Sequence, residues 1–386
     1  MKRFLIRLLV LAVVIALAEP VTEKINLIIE EKQIEESKPT QEERSDFLKL
    51  LGDNTYYYFN SLDEKEKEAY ITMYSSFMSF EEAFVMEIDS DSIKTVFTSV
   101  LYDNPHIFWV DNEYKYVENE KSVSFSPSYR STPAEAKVIS TRLNEKINEI
   151  VTEAEKLNTA YEKELFIHDY ICENTTYDEA LGQISDGASA HNSLLYGKAI
   201  CEGYSRAVQI LLDAVDIDNY LVVGEAESNG ETEAHMWNVV EIDNQNYYLD
   251  VTWDDSGADE SIVYFYFNVS DEMIKKDHYN IEPANNSCTS DKLYYYAVNG
   301  SYVKSFKGFS GHTNHSGNIL RSGENKVEFI FEDLTDYQKA LDYIENDKGF
   351  FDYVYSAVKS SGRRLNPYKV TYYTIDARNY LCIVFG

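Results

Sequence analysis

Along this chain, runs of helical apolar spacing alternate with short runs of period-two alternation, which predicts a mixed α and β protein. Residues 62–79 and 93–101 (IKTVFTSVL) read as helices, the second closing near Asp103-Asn104-Pro105. Phe108–Val110, Tyr114–Val117 and Val123–Phe125 read as short strands around polar turns. Thr132-Pro133-Ala134-Glu135 has the chemistry of a helix start: a hydroxyl N-cap, proline in the first turn and a glutamate behind it. That helix is predicted to run to about Asn158, and a second from Tyr161 to Asn174, with Ile167, Tyr170 and Ile171 on one face. Residues 178–190 are polar and irregular. Beyond Cys201, apolar side chains at Ala207, Ile210, Leu211 and Ala214 predict a helix packed on a core. His235–Ile242 and Tyr247–Trp253 then read as strands joined by Asp243-Asn244-Gln245-Asn246, a string of turn formers. Residues 305–325 are rich in Gly, Ser and Asn and read as a linker. After it come a strand at 327–331, helices at 335–345 and 350–359, and strands at 367–375 and 380–385. No internal repeat is visible.

The N-terminus departs from this pattern. Lys2, Arg3 and Arg7 precede an apolar run from Leu8 to Ala18, and small residues at Ala16 and Ala18 stand before Glu19-Pro20. This is the layout of a secretory signal peptide; the rival reading is an uncleaved anchor. Elsewhere no segment approaches the roughly 20 apolar residues of a membrane span. The expected organisation is a signal peptide at 1–18, an acidic linker at 19–46, an N-terminal α+β domain at 47–155, a central domain at 156–304 and a small α+β accessory domain at 325–386. The protein is therefore expected outside the cell, secreted or retained at its surface. The net charge of −31 repels nucleic acid and anionic membrane. Residues 301–386 carry 11 basic against 10 acidic side chains, so the acidity lies upstream. An acidic secreted surface is the leading explanation, with a cationic polymer or peptide substrate the rival. Tyr56, Tyr57, Tyr58, Phe108 and Trp109 make the first domain aromatic-rich, which core packing explains, with sugar or peptide binding the rival.

The widely spaced cysteines Cys172, Cys201, Cys288 and Cys382 fit neither a disulfide scaffold nor a metal pattern. Cys201 is the exception by position: it falls at a predicted helix start, where the macrodipole favours thiolate, the nucleophilic form. Gly203 is expected to relieve crowding near the sulfur. His235 and Asp250 lie on the two strands of the predicted hairpin. A turn centred on Asn244-Gln245 would set Asp250 opposite Val239 and His235 opposite Asp254, so the pair meets only through a bulge or an off-centre turn.

Three strings carry more weight together than singly: CEGY around Cys201, HMWN around His235 and LDVTWDD around Asp250, at offsets of 34 and 15 positions. In this order and spacing they resemble the transglutaminase-like superfamily. Ile167-His168-Asp169-Tyr170 and Tyr177-Asp178 upstream, and Tyr264–Asp271 downstream, are similar to the secreted bacterial branch. The resemblance covers about 160–300 and implies an α+β, papain-like core with Cys201, His235 and Asp250 as catalytic triad and no cofactor. It implies a thiolate that attacks a carboxamide or peptide carbonyl of a protein or cell-wall peptide, giving a thioester that water or an amine resolves. His235 would act as acid and base, Asp250 would hold its ring, and the Cys201 N–H would stabilise the oxyanion. His191, Asn192 and Tyr196 are candidates for a second oxyanion donor. Trp237 and Trp253 are expected either to wall the cleft or to fill the core, and Glu202 to meet a substrate amine or only solvent. Asp254, Asp255, Asp259 and Glu260 could gather calcium, but their spacing is that of a solvated turn. His168-Asp169 reads as a structural pair. The rival functional class is a peptide- or glycan-binding protein that keeps the fold without catalysis.

Overall fold

The computed structural model describes residues 32–35, 37, 38, 40, 56–182, 187–228, 230–255, 262–309, 312–346, 349–359 and 370–385. The signal peptide, most of the acidic linker, Asp259 and Glu260 lie outside these residues. The architecture is α+β. The chain divides into one compact unit of residues 1–225, 233–242 and 280–283, and another of residues 226–232, 243–279 and 284–386.

In the first unit, helix α1 (Glu64–Ser79) starts on a capping box: the Asp63 carboxylate accepts from the Glu66 amide and the Glu66 carboxylate from the Asp63 amide. It ends where Phe80 turns left-handed, at φ 57°. Strand β1 (Phe84–Met86), helix α2 (Ile93–Asp103), β2 (Val110–Glu118) and β3 (Val123–Tyr129) follow. The sheet order is β1-β3-β2, antiparallel, with Phe84 opposite Phe125. Phe77 of α1, Phe97 of α2 and Phe125 of β3 share one core with Phe108 and Trp109. The indole of Trp109 donates to the Phe77 carbonyl at 3.0 Å, so this ring is packed and hydrogen-bonded rather than offered to a ligand. Phe108–Val110, expected as a separate strand, contributes only Val110 to β2.

Asp103 and Asp213 are half-buried here, with their carboxylates shielded from solvent. Asp103 accepts from the Tyr58 and Phe59 amides and from the Tyr70 hydroxyl; Asp213 accepts from Asn219. Burial pushes their carboxyls up to about 7 and about 8 respectively. Unfolded carboxylates titrate near 4, so between about pH 4 and pH 8 the folded chain keeps protons that the unfolded chain has lost. Their stabilising contribution is complete below about pH 4 and is lost as the pH rises through these folded values. Asp213→Asn, which mimics the protonated carboxyl, is expected to raise the melting temperature at pH 8 by at least about 2 °C and to change it little at pH 4. Calorimetry at the two pH values checks this.

Helix α3 (Pro133–Ala154) carries the predicted capping box of Thr132 with Glu135, and α4 (Ala160–Asn174) carries one of Thr159 with Glu162. Two-residue strands β4 (Thr176–Tyr177) and β5 (Lys198–Ala199) pair in parallel. Between them α5 (Ala190–Tyr196) closes at Gly197, φ +66°, in a stretch read partly as irregular from sequence. Helix α6 (Cys201–Asp213) follows β5 directly. Its buried stripe is Tyr204, Ala207, Val208 and Leu211, whereas Ile210 is half-buried and Ala214 exposed. The helix is therefore rotated from the predicted phase, because Tyr204 takes the first core position. Strand β6 (Asn219–Ser228) neighbours β7 (Glu231–Ile242).

In the second unit, β8 (Gln245–Leu249) pairs antiparallel with β9 (Phe267–Val269), and β10 (His278–Glu282) begins. The C-terminal part is a four-stranded sheet in the order β11 (Tyr302–Val303), β12 (Lys326–Phe331), β14 (Tyr380–Phe385), β13 (Val370–Ile375). Helices α7 (Thr313–Ser322), α8 (Leu334–Asn346) and α9 (Gly349–Lys359) accompany it. Leu320, Phe329, Ala340, Val354 and Leu381 are among its core residues. Helix α7 lies inside the stretch expected as a linker. Its burial of Leu320 supplies an anchor that the Gly, Ser and Asn composition concealed.

Candidate active site

Cys201 is the first residue of α6 and is half-buried. Ile200 is the N-cap and makes no side-chain cap; its carbonyl accepts from the Gly203 and Tyr204 amides at 2.9 and 3.1 Å. The site needs glycine at 203, but for a different reason than expected. A Cβ there would lie 2.3 Å from the Gly187 carbonyl oxygen and 2.8 Å from the Ala199 Cβ. The glycine admits the backbone at 187–189 and β5 against α6; the sulfur is not what it makes room for.

Helix α6 is tied to the strand that carries His235. The Ser205 hydroxyl lies 2.9 Å from the Cys201 carbonyl and 2.8 Å from the Met236 carbonyl. The Asn238 amide donates to the Ser205 carbonyl at 3.0 Å. Both neighbours of Trp237 in the chain thus bind the first turn of the cysteine helix. His235 is mostly buried and stacks on Trp237 with ring centroids 5.7 Å apart. Trp237 is wholly buried, which makes it part of the core and not a cleft wall.

The N–H of Cys201 meets the Tyr177 hydroxyl, and burial followed by the Cys201 charge pushes that phenol up to about 12. Sequence reading assigned no chemistry to Tyr177; the parallel pairing of β4 with β5 is what delivers it. The three candidates for a second oxyanion donor are all on α5. His191 packs on Phe108 at 4.6 Å and on Tyr196 at 5.8 Å, Asn192 is buried, and Tyr196 is exposed beneath Arg142. Glu202 receives Arg206 Nε and Nη2 at 3.0 and 2.9 Å, and the same guanidinium donates to the Leu101 carbonyl. Glu202 therefore joins α6 to α2 through Arg206. His168 is fully buried between Asp169 at 2.9 Å and Cys172 at 3.9 Å, a structural cluster inside α4.

In the second unit, Asp243 and Asn244 take left-handed φ of 55° and 59°, and β8 begins at Gln245. The turn is centred one residue earlier than expected. Strand β8 stops at Leu249, so the predicted strand to Trp253 ends early. Asp250 instead caps the short helix Val251–Asp254, its Oδ1 accepting from the Trp253 amide at 3.2 Å. Its Oδ2 lies 3.1 Å from His278 Nε2, with both side chains fully buried. His278 was not singled out in the sequence. Trp253 is half-buried and covers that histidine at 4.7 Å. Asp254 is buried and its Oδ1 accepts from the Tyr266 amide. This carboxylate serves the fold, in contrast to the solvated turn expected of it. Cys172, Cys288 and Cys382 are buried thiols, and burial pushes Cys288 and Cys382 upward.

Residues 147–251 match the model of the transglutaminase-like superfamily, a span that holds Cys201, His235 and Asp250. Among solved structures the chain is similar to one described as a TGase, with 17% identity, a TM-score of 0.27, and coverage of 48% of this chain and 54% of that one. It is also similar to a candidate cysteine protease from Cytophaga hutchinsonii, at 16% identity and TM-score 0.26, covering 36% of this chain and 61% of that one. A candidate protease from Parabacteroides distasonis matches at 14% identity and TM-score 0.22, covering 36% and 35%. The chain thus spans about half the length of the first of these. No protein in the curated set matches.

Proposed function

Because residues 147–251 belong to the transglutaminase-like superfamily, we propose that this chain is an exported thiol enzyme that opens carboxamide or peptide bonds through a thioester on Cys201. The observation that carries the reading is the tether between α6 and β7, in which Ser205 and Asn238 hold the start of the cysteine helix to the strand of His235. Asp250 as third member rests on the match to the family model, whose span includes it.

The Cys201 thiolate attacks the substrate carbonyl. The oxyanion forms beside the Tyr177 hydroxyl, which donates a hydrogen bond to it while accepting one from the Cys201 N–H. His235 protonates the departing ammonia or amine, leaving a thioester on Cys201. It then takes a proton from water, whose oxygen adds to the thioester carbon, and the acid and the thiol are released. In the triad of this family the part that falls to Asp250 is to accept from the other ring nitrogen of the histidine. The substrate is a protein or a cell-wall peptide, and export follows from the signal-peptide pattern of residues 1–18. Hydrolysis is favoured over transfer, since no residue of the sequence marks an amine-acceptor site.

Mass analysis of a glutamine-containing peptide incubated with the enzyme, with and without a primary amine, tests this. The expected product is the free acid in both cases. An amine adduct as main product would convert the reading to a transferase, and an unmodified peptide across a panel of glutamine and cell-wall peptides would count against the enzyme.

A further inference from the structure

The Asp250 carboxylate belongs to a longer chain of charged groups within its own unit. Its Oδ1 is taken by the Trp253 amide and its Oδ2 by His278 Nε2 at 3.1 Å. The other nitrogen of that ring, Nδ1, lies 2.7 Å from Asp277 Oδ1. Asp277 Oδ2 in turn accepts from the Tyr266 hydroxyl at 3.0 Å and from Arg378 Nη2 at 2.7 Å. The Arg378 guanidinium also lies over the Tyr266 ring, 4.5 Å from its centroid. Tyr266 and Trp253 clamp His278 with ring centroids at 5.2 and 4.7 Å.

We propose that His278 is a positioning residue for the catalytic carboxylate, held in place by Asp277 and, from the C-terminal sheet, by Arg378. An ionised carboxylate only accepts, so the ring satisfies Asp277 and Asp250 together when both nitrogens carry hydrogen. In that form His278 holds one oxygen of Asp250 while the Trp253 amide holds the other. The carboxylate then has a single orientation. Asp250 sits at the mouth of a four-residue helix, too short to fix a side chain unaided. The relay supplies that rigidity. Arg378 lies in the turn Asp376–Arg378 between β13 and β14, which gives the C-terminal sheet a function: it anchors the support of the Asp250 carboxylate.

This inference rests on the triad proposed above, and its test separates the two. In the full chain, His278→Gln keeps a donor near the position of Nε2, facing Asp250. His278→Asn keeps one near Nδ1, facing Asp277, and withdraws the other. Both remove the same ring from between Trp253 and Tyr266, so both are expected to lower the melting temperature by similar amounts. The readout is the rate at which iodoacetamide alkylates Cys201, followed by peptide mass spectrometry in folded protein, with Asp250→Ala as reference. His278→Gln is expected within about threefold of the parent and His278→Asn about tenfold below it, the scale of losing a group that orients a catalytic ligand. Equal rates in the two variants, whether slow or parental, overturn the positioning role. If Asp250→Ala is slow while both His278 variants react at the parental rate, the relay fails and the triad stands. If Asp250→Ala itself reacts at the parental rate, the triad fails first.

Discussion

Replacing Cys201 by alanine is expected to abolish thioester formation and lower turnover at least about 10⁴-fold, the scale seen when a covalent nucleophile is removed. The side chain sits at the first position of α6 and is only half-buried. The melting temperature should therefore change little. This combination separates chemistry from folding. Cys172, Cys288 and Cys382 are buried, and replacing any of them should cost stability before activity. Turnover of a glutamine-containing peptide beside a thermal melt checks both halves.

Gly203→Ala is expected to have the largest effect on folding. On helix propensity alone, alanine would gain about 1 kcal/mol over glycine inside α6. The added methyl, however, would stand 2.3 Å from a backbone carbonyl oxygen and 2.8 Å from the Ala199 Cβ. Neither neighbour is the free end of a flexible side chain, so relief requires α6 to move away from β5 and from residues 187–189. Overpacking of this kind costs about 1–3 kcal/mol or more, and the clash wins over propensity. The same movement would draw Cys201 from Tyr177. A melting temperature at or above that of the parent would show that the backbone yields more easily than this packing allows.

Much of the fold is legible where local chemistry decides the outcome. Thr132 with Glu135 and Thr159 with Glu162 are capping boxes written in adjacent residues, and both helices start where those signals lie. The aromatic N-terminal segment follows from composition, because rings of that size must be buried. Elements whose local signals conflict were not legible. Four turn formers in a row at 243–246 leave the hairpin's centre ambiguous. The structure resolves it at Asp243-Asn244, residue types that tolerate left-handed φ better than Gln245 does. Leu249–Trp253 alternates like a strand, but Asp250 accepts from the amide three residues on and turns the chain into a helix. Helix α7 is hidden by a composition that usually marks linkers.

The same division runs through the site. The local strings around Cys201, His235 and Asp250 were readable. Tyr177 reaches Cys201 only through the pairing of β4 with β5, and His278 reaches Asp250 from 28 positions away. Glu202 was misread because its partner Arg206, one helical turn on, also binds the carbonyl of Leu101. The Tyr177 and His278 contacts leave no mark in short-range sequence, whereas the four-residue spacing of Glu202 and Arg206 was there to be read.

The rate of Cys201 alkylation by iodoacetamide at neutral pH, in the folded parent and in His235→Ala, tests the central claim most directly. The account predicts that Cys201 is alkylated well ahead of Cys172, Cys288 and Cys382 in the parent, and that His235→Ala slows it at least tenfold, about 1.4 kcal/mol. A Cys201 no more reactive than the buried thiols, or one indifferent to the loss of His235, would contradict the account and point to a binding protein that keeps the fold without the chemistry.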